Sequence, residues 1–257
     1  MKLVCLKTFF IIALGATALF AQNKYNFTEF KDETFQFVLQ PLHWDAVDWI
    51  KLGLLGGVTV LVAQADQSVR SVVLRNPGYL NSIPVQAGYY WGVGYPTAIL
   101  AVGFGLHGWL ANNTTTKKIA FEILQATLYA ELAKSILTVS VGRARPYTNR
   151  GPGVFKPFTL LDGWYQSFPG GHATAAFALS TVLARNTSSV LLKILAYTPA
   201  GLTLIARIYE DSHWTSDQVF GAAIGFLAAS WVADLHEQKN SRVQITSAYP
   251  LVLSIAF

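Results

Sequence analysis

Two histidines, two arginines and an aspartate, His172, His213, Arg145, Arg207 and Asp217, fall in three short blocks of an otherwise apolar chain. The blocks read Gly142-Arg143-Ala144-Arg145-Pro146, Phe168-Pro169-Gly170-Gly171-His172 and Arg207-Ile208-Tyr209-Glu210-Asp211-Ser212-His213-Trp214-Thr215-Ser216-Asp217. These residue types suit phosphoryl transfer through a phosphohistidine. Guanidinium groups grip phosphate through paired N–H donors. One imidazole attacks phosphorus, a second protonates the departing oxygen, and a carboxylate orients the nucleophile. His213 and Asp217 are four apart, so in a helix the carboxylate sits one turn away and accepts the ring N–H. That bond would fix the tautomer and leave the other nitrogen free. Arg207 precedes His213 by six positions and returns a guanidinium to the same point. The competing reading is a solvated helix–helix turn holding an Asp/His pair.

The second block places Gly170 and Gly171 before a strong helix former, exposing backbone N–H groups to an anion at a helix N-terminus. His172, in that first turn, is placed to protonate a leaving alkoxide. A plain glycine-rich turn with a surface histidine is the alternative. In the first block Pro146 is expected to end a helix and hold Arg145 at its end. The alternative there is a basic helix C-terminus that complements the dipole.

In order and spacing the three blocks resemble the type 2 phosphatidic acid phosphatase superfamily, related to bacterial acid phosphatases and vanadium haloperoxidases. The resemblance is close from Lys134 to about Ala228. It implies an all-α six-helix bundle and a phosphatase without metal or other cofactor. His213 would be phosphorylated, then released by water that His172 activates, with Asp217 behind His213. The sequence departs from the family pattern at three positions. A lysine is expected seven positions before Arg145, where this chain has Thr138; Lys134 and Arg143 are the candidate substitutes. Gly170 and Ala206 stand where serines are common. The implied substrates are phosphorylated lipids such as phosphatidic acid or an isoprenyl diphosphate. A soluble periplasmic nonspecific acid phosphatase and a non-catalytic envelope protein that binds anionic headgroups are the alternatives. The retained histidines, arginines and aspartate argue against the binder, since what changed are auxiliary contacts. The missing lysine argues against a haloperoxidase.

The elements that must bring these blocks together are apolar. The 257 residues are 52% hydrophobic and 13% charged, about half the charge of a soluble chain, with a formal net charge of +5. Such a balance suits a membrane protein or a soluble helical bundle with large buried faces, and the positive charge suits anionic partners. It carries no Lys/Arg stripe or module for nucleic acid. Residues 1–21 read as a signal peptide, with Lys2 and Lys7 before an apolar run, and Cys5 inside it is the only cysteine. Residues 22–48 read as a lead-in, polar and mobile over 22–34. The helical domain is expected over 49–238, with apolar segments near 49–65, 89–110, 118–139, 172–185, 189–207 and 217–235. An up-and-down bundle gathers the blocks at one end. Small residues from Gly221 to Ala229 suit close helix packing. The tail, 239–257, alternates weakly and is read as a short strand or strap. His43, His107 and His236 stand apart as core or interfacial residues, with no metal site. Trp44, Trp49, Tyr89, Tyr90 and Trp91 read as packing or an interfacial belt.

Only residues 86–106 give an uncharged apolar run of spanning length. A site facing the periplasm of the cell envelope is expected. A cleaved signal followed by three full crossings would instead leave the Arg145 block inside. The conflict is removed if 49–65 does not cross, if the bundle is soluble, or if the leader stays. Oligomeric state leaves no mark in the sequence.

Overall fold

The computed structural model describes residues 25–240 and two strands, at 243–246 and 252–255. The expected leader, 1–21, lies outside the described residues. Nine α-helices are described: α1 Phe27–Leu39, α2 Ala46–Ala63, α3 Asp66–Arg75, α4 Ile83–Gly92, α5 Tyr95–Leu110, α6 Thr114–Val141, α7 Gly171–Arg185, α8 Val190–Tyr209 and α9 Thr215–Asn240. The tail forms a small hairpin, β1 Val243–Thr246 paired antiparallel with β2 Val252–Ile255.

The six apolar segments correspond to α2, α4 with α5, and α6 to α9. One expected segment is split. Gly94 takes φ +84 and caps α5, with Pro96 in the first turn behind it. Glycine tolerates that backbone and proline starts helices well, so the run 89–110 breaks into two. Of the described helices, α2, α8 and α9 are long and apolar enough to cross a membrane. The only buried residue of α2 is Thr59; Leu55 packs against the core, and most of the other apolar side chains are exposed along about 27 Å of helix.

From Phe27 onward the expected mobile lead-in is helical. Asn26 accepts the Glu29 N–H as an N-cap, and α1 packs Phe37 flat on Tyr129 of α6, ring centres 4.4 Å apart. Buried Glu33 from α1 reaches His236 of α9, whose other ring nitrogen faces Glu122 at 3.0 Å. His236 is thus a core histidine tying three helices.

The core lies between α6, α7 and α9, around Ile123, Tyr129, Leu179, Val182 and Val232. The small residues of α9 act as expected. A Cβ at Gly225 would lie 2.2 Å from the Thr174 carbonyl, and one at Gly221 would lie 2.4 Å from that of Gly170. This close approach sets the start of α7 against the start of α9. The end of α6, the starts of α7 and α9 and the end of α8 therefore share one end of the bundle, bridged by the loop 142–170.

Candidate active site

The helix α6 ends before its proline. Gly142, at φ +60, caps it in the left-handed conformation and sends its N–H to the Thr138 carbonyl at 3.0 Å. Pro146 instead keeps Arg145 extended, four residues beyond the helix end. The Arg145 main-chain N–H bonds the Trp164 carbonyl, and its Nε donates to Gly163 O at 3.0 Å. Nη1 donates to Ser212 O at 3.0 Å and lies 3.4 Å from His213 Nε2. The guanidinium is thereby aimed at the histidine.

His213 stands in the turn before α9, not in the helix, and this changes its partner. Its Nδ1–H donates to the Ser167 carbonyl at 2.6 Å. A carbonyl can only accept, so the tautomer is fixed and Nε2 keeps its lone pair beside Arg145. Asp217 does not accept the ring N–H as expected: Oδ2 is 4.0 Å from Nδ1. It lies in the first turn of α9 and reaches back to the Trp214 N–H at 2.9 Å. It also accepts the Ser167 hydroxyl at 2.5 Å and Arg143 Nη1 at 2.6 Å. Asp217 thus fixes Ser167, and the Ser167 carbonyl fixes His213.

Arg143 does not face the site. Its Nε bonds Pro152 O, Nη1 bonds Ser216 Oγ and Asp217, and Nη2 bonds Asp66 at 2.8 Å. With four of its donors spent and Trp214 and Phe155 over the guanidinium, Arg143 holds the site together and offers no grip on phosphate. Thr138 is also set aside, because its hydroxyl bonds the Lys134 carbonyl of its own helix at 2.9 Å. Gly170 loses its expected donor as well: its N–H is taken by Asp217 O at 2.9 Å. The amides of Gly171, His172 and Ala173 remain the outward-pointing first turn of α7.

Lys134 does reach the site. A Cβ at Gly171 would lie 2.7 Å from Lys134 Cε and 3.2 Å from its Nζ, so this glycine makes room for the lysine. Glu131 is 3.2 Å from the same Nζ. Arg207, at the end of α8, pairs through Nη1 with Glu210 and lies over the Tyr89 ring at 5.6 Å. Its buried Nε has no acceptor among the described residues. His172 faces this cluster, and among the described residues no group hydrogen-bonds its ring. Burial and then Arg207, Arg145 and Lys134 pull its pKa down to about 3. Burial, followed by the same two arginines, holds His213 well below its ordinary value.

Sequence reasoning missed Ser167, Asp66, Arg70 and the contact of Tyr89. Asp66, at the start of α3, accepts Ser216 N, Ser216 Oγ and Arg143. Arg70, one turn on, grips Asp211 with two donors at 2.6 and 2.7 Å. Asp211 sits at φ +53, in the turn between α8 and His213. A strut of ten residues, α3, therefore pins both sides of that turn. Lone Asp and Arg residues on a short polar helix carry no motif that announces this.

The arrangement gathers Arg145, Arg207 and Lys134 near two imidazoles that burial and neighbouring cations hold against protonation, and the fixed tautomer of His213 leaves Nε2 as its free nitrogen. The model of the PAP2 superfamily matches residues 119–241. A lipid A 1-phosphatase of Porphyromonas gingivalis is 39% identical over 74 residues, covering 27% of this chain and 17% of that protein. The chain thus matches about a sixth of the length of this curated relative. The crystal structure of a transmembrane PAP2-type phosphatidylglycerolphosphate phosphatase from Bacillus subtilis superposes with a TM-score of 0.54. That likeness spans 73% of this chain and 96% of the other at 18% identity, and concerns the fold.

Proposed function

We propose that the chain, whose residues 119–241 match the PAP2 superfamily model, is a membrane phosphatase for lipid phosphates, working through a phosphohistidine. The observation that carries the reading is His213: its Nδ1 proton is committed to Ser167 while Nε2 stands bare 3.4 Å from Arg145. A phosphate monoester enters the pocket and takes up Arg145, Lys134, the idle donor of Arg207 and the first amides of α7. His213 Nε2 forms a bond to phosphorus as the bond to the leaving oxygen breaks, and His172 gives that oxygen a proton. Water then attacks phosphorus, passes its proton to His172, and the P–N bond breaks to release orthophosphate.

His172 lacks its second ring proton in the empty site at neutral pH, because burial and three nearby cations oppose the imidazolium. The bound phosphate offsets those cations, so the proton arrives with the substrate or after it. Lys134 replaces the charge missing at Thr138. The bare apolar faces of α2 and α8 favour a substrate held in a bilayer over a freely soluble ester. We place the site on the periplasmic face of the cell envelope.

The test is phosphate release from phosphatidic acid, an isoprenyl diphosphate and an aryl phosphate, comparing the unaltered protein with His213→Ala. Release that vanishes in the variant, with an acid-labile phosphoprotein trapped only in the unaltered chain, supports the mechanism. Equal inertness of two folded proteins would replace it with anionic-lipid binding.

A further inference from the structure

The loop that carries Arg145 also carries an apolar ridge that the chemistry does not use. Phe158, Leu160, Leu161 and Trp164 are 80%, 69%, 84% and 56% exposed, four large apolar side chains within seven residues. The ridge is held in shape. Phe158 sits at φ +59 with its N–H on the Val139 carbonyl at 2.7 Å. Gln166 Nε2 holds Leu160 O at 2.9 Å, and Asp162 Oδ1 accepts the Trp164 N–H at 3.1 Å. A loop ordered in this way presents its apolar side chains outward, where water makes them costly.

Two neighbours identify the occupant. Leu132 and Ile136, one turn apart on α6, are exposed, and their stripe runs up to Val139, where Phe158 is tied. The ridge thus continues an apolar helix face to the end of the bundle where the site lies. Cations flank it: Arg150 lies over the Trp164 ring at 5.4 Å, and Lys156 lies over Tyr165 at the same distance. Apolar tips bordered by aromatic and cationic groups match the boundary between acyl chains and anionic headgroups.

We infer that the ridge formed by Phe158, Leu160, Leu161 and Trp164 inserts into the lipid bilayer interface beside the phosphate pocket, so that headgroups enter it directly from the membrane. The inference deepens the reading above and rests on it for what is delivered.

The experiment uses the full chain reconstituted in vesicles of anionic lipid, with Cys5→Ser as background. A nitroxide at Leu161→Cys should be more accessible to oxygen than to a water-soluble nickel complex, the reverse of one at Ser188→Cys in the exposed α7–α8 turn. Leu161→Asp should lower turnover of vesicle-borne lipid phosphate about tenfold or more while leaving turnover of an aryl phosphate within about twofold. A label at 161 as wet as that at 188, or lipid turnover unchanged by Leu161→Asp, would overturn the inference. If the unaltered protein hydrolyses neither substrate, the proposed activity fails, and the depth measurement alone still decides the ridge.

Discussion

The histidines in this pocket are set against protonation, and this has two measurable consequences at the level of single residues. Depressed values in the folded state mean that the unfolded chain binds protons that the native one refuses. Stability is therefore fully present above about pH 6.5 and is lost as pH falls toward the His172 value of about 3. Thermal melts between pH 7 and 4 should show this decline, and orthophosphate or vanadate should reduce it by offsetting Arg207, Arg145 and Lys134. The same proton deficit should make kcat/KM fall as pH rises through the second ionisation of the substrate phosphate, near 6. A profile that instead rises with pH would show His172 deprotonation to be limiting. His213→Ala should cost on the order of 10^4 in kcat or more, as loss of a nucleophile does. Ser167→Ala keeps the carbonyl that holds His213 but removes the hydroxyl that Asp217 anchors, and should lower kcat with little change in KM.

At the scale of elements, the sequence disclosed most of what the blocks needed and little of what holds them. Periodicity and apolar runs located α6 to α9, and the glycines of α9 announced its close packing with α7. The error at Asp217 came from assuming that the helix had begun by His213. The chain instead turns there, and a carboxylate in the first turn satisfies a helix N-terminus before it can serve the ring. Arg143 and Arg145 are two residues apart and chemically identical, so only the fold could say which one is spent internally. The α3 strut was illegible because its partners lie about 80 to 150 residues away. Asp66→Asn removes one of two carboxylates from buried Arg143 and should cost about 3 kcal/mol in denaturant unfolding. Arg70→Ala breaks a partly exposed pair, so kcat should fall more than stability does. Lys134→Ala should raise KM by about tenfold or more, the scale of one charge-assisted donor.

For the whole molecule, α2 ties topology to the site. Its cap Asp45 stands at one end, and Asp66, just beyond the other, touches Arg143. If α2 crosses the bilayer, residue 45 and the pocket face opposite compartments, which sharpens the conflict between a cleaved leader and a periplasmic site. Cysteines at Gly153, where a side chain has open space, and at Ser188 should be labelled from opposite sides of sealed vesicles. Labelling from one side would mean that the bundle does not cross.

The ion pair between Arg207 and Glu210 gives the pocket an anion of its own. On the proposed reading, phosphate would bind by exchange: an internal carboxylate would step off the guanidinium as the substrate arrives and return as orthophosphate departs. Burial already pushes Glu210 above the usual carboxylate range, so it leaves most readily in acid. Glu210→Gln should therefore bind orthophosphate more tightly and turn over more slowly, with product release becoming the slow step. An enzyme built this way discharges its product partly by reclaiming a charge it had lent.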